Sequence, residues 1–306
     1  MKPIISCDLL AVLILFAGVA RSEESSESLR GTVVSDLSVY EAGDNPTLYL
    51  QLENLSRQVV TGYYANAEQM EIFPCDLFLV IKDGRKLPYT RTTEYHPRPF
   101  ARTGIHGGGT LTIEVPLGHV ARLPDDLTGH YRVQLMADYY PGHVGGRPIE
   151  FEILLPSPRA SVEEILQGAN WRTRLGDELG LGRQTRLSAL ARRNDQAAGL
   201  RVRAIRVLSD HADEAALVGL RVDLIGDRDP IVAMAAISTI KGVPSPGLAG
   251  ALIAALEHRD LGVRRAAAKI LLGVALKGEG ATRVKAIASS TLDDLVRQFL
   301  SEALAK

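Results

Sequence analysis

The strongest constraint on this chain is a phrase that returns near its C-terminus. Asp229-Pro230-Ile231-Val232-Ala233-Met234-Ala235-Ala236-Ile237 is answered by Asp260-Leu261-Gly262-Val263-Arg264-Arg265-Ala266-Ala267-Ala268, and Leu200-Arg201-Val202-Arg203-Ala204-Ile205 is a weaker copy. Val202, Val232 and Val263 lie 30 and 31 residues apart. A period of that length marks a supersecondary unit that cannot bury its apolar face alone, so successive copies must stack. The spacing predicts three helical pairs: 185–193 with 199–208, 213–225 with 230–240, and 248–258 with 262–276. Within 230–240, Ile231, Met234, Ala235 and Ile237 or Ser238 recur at three-to-four spacing. In the third pair, Leu252, Ala255 and Leu256 can face Ala266, Ala267, Ile270 and Leu271. Such stripes bury an apolar seam between helices.

The starts of these helices carry their own signals. Asp229 can accept an unpaired helix N–H, and Pro230 suits the first helical position, where no N–H is needed. Asp260 can cap the next equivalent helix, and Asp195 stands as the corresponding cap of the first repeat, further from its valine. A last helix starts at Thr291-Leu292-Asp293-Asp294, with Leu292, Leu295, Val296, Phe299 and Leu300 on one face. The expectation is a terminal cap that seals the last repeat.

The region before the repeats alternates with period two instead. Leu48, Leu50 and Leu52 share one face of a strand over 47–54, and 110–115, 131–137 and 149–154 alternate in the same way. Further strands are expected at 68–72 and 76–82, with Asp83-Gly84 as a hairpin turn. Short strands at this turn spacing predict a β-sandwich. The fold class is therefore multidomain: an all-β sandwich followed by an all-α short solenoid. Pro156-Ser157-Pro158 punctuates the join, and Ser161-Val162-Glu163-Glu164 reads as a capping box.

Two resemblances follow from these residues. The Leu48/Leu50/Leu52 strand before Asn54, the strand over 110–115 and Gly129-His130-Tyr131-Arg132-Val133 resemble immunoglobulin-like or fibronectin-like accessory domains. That likeness implies that the Tyr131 hydroxyl ties a loop to the sandwich. Asp229/Val232/Ala235-Ala236 and Asp260/Val263/Ala266-Ala267 resemble bacterial HEAT-type repeats, which implies a scaffold or protein-interaction role.

The first twenty residues stand apart. Lys2 precedes the apolar run 9–20, which ends in small residues before the polar Arg21-Ser22-Glu23-Glu24. This is the layout of a cleavable secretory signal, and the run is short for a membrane span. The expected organisation is a signal at 1–20, a leader at 21–28, the sandwich at 29–156, a linker with short helices at 157–184 and the helical repeats at 185–306. Export to the periplasm or extracellular space would leave Cys75 as the sole cysteine, so the mature chain needs no disulfide framework.

Motifs for chemistry are weak. His106-Gly107-Gly108-Gly109 resembles an oxyanion-hole glycine run, but no G-x-S-x-G elbow accompanies it, and Ser245 has the wrong spacing. A strand-entry turn is the expected use. His96, His106, His119, His130 and His143 lack zinc spacing, and no calcium-loop motif occurs. No metal, cofactor or catalytic set is expected. Arg183, Arg186, Arg192, Arg193, Arg201, Arg203 and Arg206 crowd the join, yet the formal net charge is -1. These arginines are read as a solvated helix face, not a nucleic-acid surface. The functional expectation is a non-catalytic protein-binding or scaffold protein, with Arg264, Arg265 and Lys269 as partner contacts. The alternative is accessory carbohydrate or peptide recognition beside an exported enzyme, through the loop carrying Tyr139, Tyr140 and His143.

Overall fold

The computed structural model describes residues 29–42, 46–64, 78–90, 101–135, 143–144, 148–154, 165–166, 175, 181–212 and 214–306. Its first part is built from strands. One sheet has the order β10-β1-β3-β8, from β1 (Leu29–Ser35), β3 (Thr47–Asn54), β8 (Thr110–Pro116) and β10 (His143–Val144). A second has the order β2-β11-β9-β5-β6, from β2 (Val39–Glu41), β5 (Phe78–Lys82), β6 (Arg85–Lys86), β9 (Gly129–Leu135) and β11 (Ile149–Leu154). A two-stranded ribbon pairs β4 (Val60–Tyr64) with β7 (Ala101–Ile105).

The alternation read from the sequence fixes what lies between the sheets. Leu48, Leu50 and Leu52 point inward from β3, Leu111, Ile113 and Val115 from β8, and all are buried. Opposite them stand Phe78 and Val80 of β5, Tyr131 and Val133 of β9, and Phe151 and Ile153 of β11. Phe151 stacks on Tyr131 at 5.3 Å and meets Tyr40 edge-on at 5.2 Å. The Tyr131 hydroxyl donates to the Leu127 carbonyl at 2.9 Å, the loop tie that the resemblance implied. Burial raises its pKa to about 12. Asp83 (φ 48°) and Gly84 (φ 77°) make the expected hairpin turn between β5 and β6.

The glycine run before β8 is a turn. Gly109 N–H donates to the His106 carbonyl, and Gly108 lies at φ 70°. A Cβ on Gly107 would stand 2.7 Å from the Arg57 backbone. The run is thus held against the β3–β4 connection. The expected strand at 68–72, Cys75, the capping box at 161–164 and the signal and leader lie outside the described residues.

The second part consists of stacked helical pairs. After α1 (Leu117–Val120), a short turn following β8, come α2 (Leu181–Arg192) with α3 (Ala198–His211), α4 (Glu214–Ile225) with α5 (Pro230–Ser238), α6 (Pro246–Ala255) with α7 (Leu261–Leu271), and α8 (Gly278–Ser290) with α9 (Asp294–Leu304). The second helices form an inner row in which α3, α5, α7 and α9 pack in sequence, and the first helices form an outer row. Val202, Val232, Val263 and Val296 occupy equivalent buried positions, so the period continues once more than expected.

Several sequence expectations change here. The third pair closes at Leu271, not 276, and α8 follows where no helix was expected. Of α8, Val284 and Ala288 are the buried residues, too few for a visible stripe. The helix expected as a lone terminal seal, α9, is the inner member of this fourth pair. Its Val296, Leu300 and Ala303 are buried. Asp195 is not a cap: α3 starts after Ala197 with no side-chain cap, and Asp195 is exposed against Arg193. The first repeat's inner helix starts two residues earlier relative to its valine than the others do.

The β part and the helical array share one continuous core. The outer face of the β1/β3/β8 sheet is covered by the inner row of helices, which is why Tyr49 and Thr47 are buried although Leu48 and Leu50 face the opposite side.

Candidate functional site

The junction is built at the N-terminal ends of the inner helices. Asp229, Asp260 and Asp293 each precede their valine by three residues and cap α5, α7 and α9, accepting from Ile231 N–H (3.0 Å), Val263 N–H (3.2 Å) and Val296 N–H (2.9 Å). The residue two before each aspartate completes the turn. The side chains of Asp227, His258 and Thr291 accept the N–H of Asp229, Asp260 and Asp293 at 2.9, 3.0 and 3.3 Å. Three chemically different side chains do one job, so no residue type repeats there and the pattern is hidden from sequence reading. The ring of His258 also bridges repeats, with Nε2 3.2 Å from the Asp227 carbonyl.

Each capping aspartate then does something different. Asp260 is fully buried, and its carboxylate accepts from Thr110 Oγ1 (2.7 Å) and Thr112 Oγ1 (2.8 Å) on β8. It is both a helix cap and a tie to the sheet. Asp293, equally buried, takes Arg265 Nη2 at 2.7 Å. Gly262 brings α7 so close to β8 that a Cβ there would lie 2.3 Å from the Thr112 carbonyl oxygen. At the first repeat, a Cβ on Gly199 would lie 2.0 Å from the Asp36 carbonyl oxygen.

The arginines of the join belong to this junction. Arg201 and Arg203 are buried, which corrects the expectation of a solvated face. Arg201 pairs with Asp227 and donates to the Ala191 carbonyl at 2.9 Å. Arg203 lies 3.9 Å from Asp36 and donates to the Leu166 carbonyl at 2.8 Å. Arg206 reaches Glu114 on β8 at 2.9 Å; burial works against its charge, but Glu114 and Tyr49 prevail and raise its pKa. Asp36 also receives the Tyr40 hydroxyl and Thr47 N–H. Burial, then Asp36, holds the Tyr40 hydroxyl well above the usual tyrosine range, and burial followed by Glu114 does so for Tyr49. Both phenols stay neutral. Arg192 and Arg193 are exposed and paired with Asp223 and Asp195. The signal that could have separated the buried arginines from the exposed ones is their place beside Val202, the invariant core position of the repeat.

The residues singled out from sequence fall in two places. Arg264, Arg265 and Lys269 lie on α7. Arg265 is engaged by Asp293, and Lys269 is exposed and engaged elsewhere in the chain. Arg264 is half-buried, and burial lowers its pKa below the ordinary arginine value. Among the described residues it has no hydrogen-bond or ion-pair partner, although Asp293 and Asp260 are near enough to favour its charge. His143 opens β10, paired in parallel with Leu29; Tyr139 and Tyr140 lie outside the described residues. His106, His119 and His130 are exposed and dispersed, and no group able to hold a metal occurs among the described residues. Ser245 serves as the cap of α6, its Oγ 3.5 Å from Leu248 N.

No helix among the described residues is long and apolar enough to cross a membrane. No protein-family model matches the chain, and no curated protein is similar to it in sequence.

Proposed function

We propose that this chain is an exported, non-catalytic protein-binding scaffold, in which a HEAT-type array is mounted on an immunoglobulin- or fibronectin-like sandwich. The observation that carries the reading is Arg264. Arg201, Arg203, Arg206 and Arg265 are spent on internal ion pairs, whereas Arg264 is half-buried and has no hydrogen-bond or ion-pair partner among the described residues. An arginine already partly desolvated, on a helix clamped to a sheet, is preorganised to receive a carboxylate from another protein at small entropic cost. The export part rests on the apolar run at 9–20 and the polar residues that follow it.

The test is cross-linking in the native envelope, followed by capture of the full mature chain and of its Arg264→Ala variant. The expected result is a defined partner protein that the variant loses while its circular dichroism and melting midpoint stay unchanged. A partner retained in full by the variant overturns the role of Arg264. Recovery of glycans in place of protein overturns the scaffold reading itself.

A further inference from the structure

Of the three turns that complete the caps of α5, α7 and α9, one depends on an acceptor that a proton destroys. The N–H of Asp229 is accepted by the Asp227 carboxylate, and that of Asp293 by the Thr291 hydroxyl. A carboxyl group keeps an acceptor oxygen whether or not it is charged, and a hydroxyl keeps its lone pairs. The N–H of Asp260 is accepted instead by Nδ1 of His258, at 3.0 Å. A backbone N–H only donates, so Nδ1 is bare and the ring proton sits on Nε2. Nε2 then donates to the Asp227 carbonyl at 3.2 Å, which ties the third repeat to the second. The half-buried ring is thus engaged in its neutral form at both nitrogens. A proton on Nδ1 sets a donor against the Asp260 N–H.

The residue exposed to that clash fastens the array to the sheet. Asp260 is fully buried, caps α7 at Val263 N–H, and accepts from Thr110 and Thr112 of β8. The elements around this turn carry charges of both signs. Its own turn has Glu257, paired with Arg283 of α8, together with Arg259 and Asp260. The turn before α5 has Asp227, paired with Arg201 of α3, together with Arg228 and Asp229. The first turn of α7 adds Arg264, α9 has Asp293 on Arg265, and β8 has Glu114 on Arg206 of α3. Arginines outnumber carboxylates in this set, so it supplies no excess negative charge to draw a second proton to the ring.

We infer that His258 is a proton-operated latch on the junction. Uptake of a proton at Nδ1 releases the Asp260 N–H, disturbs the cap of α7, and loosens its hold on β8. Imidazole is the side chain that changes charge between about pH 5 and 8, so the latch opens on mild acidification. The inference concerns how the junction responds to its surroundings and is independent of what the array binds.

The test is urea unfolding of the full mature chain and of its His258→Asn variant at about pH 7.5 and about pH 5.5. An asparagine accepts the N–H two residues on, as Asp227 does, and does not titrate. In the unfolded chain a histidine of pKa about 6.5 becomes protonated over this interval, and a fold that needs the neutral ring loses stability as pH falls. The folded-to-unfolded ratio of the wild type should therefore fall up to about tenfold further than that of the variant. The remaining histidines are common to both proteins and cancel. Equal falls overturn the latch. A second measurement leaves His258 in place, so it decides the matter even if the variant does not fold. The coupling between Asp260→Ala and Thr112→Val, from a double-mutant cycle, should be smaller at the lower pH. A coupling that is the same at both pH values overturns the inference, because the proton then acts elsewhere than on the contact between α7 and β8.

Discussion

Asp260 is the residue at which repeat and sheet are joined, and its removal should cost more than the loss of a helix cap. Asp229 and Asp260 are the same position in adjacent repeats, and each accepts one N–H from the first turn of its helix. Losing such a cap costs about 1 kcal/mol. Asp229→Ala should therefore lose about that much. Asp260→Ala loses the same cap and strands two hydroxyls. Thr112 is only 2% exposed, so its hydroxyl has little access to water once its acceptor is gone, at about 1–3 kcal/mol. Thr110 is half-buried and adds little. The expected total for Asp260→Ala is about 2–4 kcal/mol. Urea unfolding of the full chain, followed by circular dichroism and by intrinsic fluorescence, measures both variants. Because the β part and the array share a core, the two probes should move together. A double-mutant cycle with Thr112→Val should give a coupling on the order of 1 kcal/mol. If Asp260→Ala costs no more than Asp229→Ala, or the coupling is zero, the contact with β8 does not stabilise the junction and the reasoning fails.

Two further outcomes follow from named geometry. Gly262→Ala should destabilise by about 1–3 kcal/mol, because the Cβ meets a strand carbonyl that cannot move aside. Gly250→Ala, in α6 with open space around it, should stabilise by about 0.5–1 kcal/mol through helix propensity; melting midpoints that shift in the same direction for both would refute the close approach. Tyr131→Phe should cost about 1 kcal/mol near neutral pH by removing the bond to Leu127. Because the folded-state pKa is raised to about 12, the stability tied to the neutral phenol is present below about pH 10, the unfolded tyrosine value, and is lost as pH rises through about 12. Urea midpoints for the two proteins should therefore converge in alkali, and a gap that stays constant would refute the linkage.

The architecture was legible because it follows from periods. Alternation over 47–54 gave β3, and the returning valines gave the inner helices, since both patterns are written in apolar residues that must be buried. The junction was not legible, for a physical reason. Its polar groups are buried against partners far away in sequence: Asp260 meets Thr110 and Thr112, and Arg206 meets Glu114. A sequence read locally sees only exposed-type residues and assigns them to solvent, as happened with Arg201 and Arg203. The fourth pair was missed for a different reason. Only Val284 and Ala288 of α8 are buried, so its sequence carries no continuous apolar stripe. The candidate binding residues divide accordingly: Arg264 has no ion-pair partner among the described residues, whereas Arg265 is taken by Asp293, an acid of the fourth pair.

The first repeat shows how sheet and array depend on each other. Three residues before the core valine, the later repeats carry Asp229, Asp260 and Asp293, but the first carries Gly199. Read as a repeat, this is a lost cap. In the fold it is an exchange. The missing side chain leaves room for the Asp36 backbone, which comes within 2.0 Å of where a Cβ would stand, and Asp36 brings its own carboxylate to Arg203. An acid from the β part thus takes up a position next to the one that each later repeat fills for itself. At the third repeat the relation is reversed, and Asp260 extends from the array to satisfy hydroxyls of the β part. A stable solenoid usually needs a polar terminal repeat to shield its core. Here the sheet supplies part of that shielding along the inner row. The four described pairs therefore keep the valines of their inner row buried within a core that continues into the sheet.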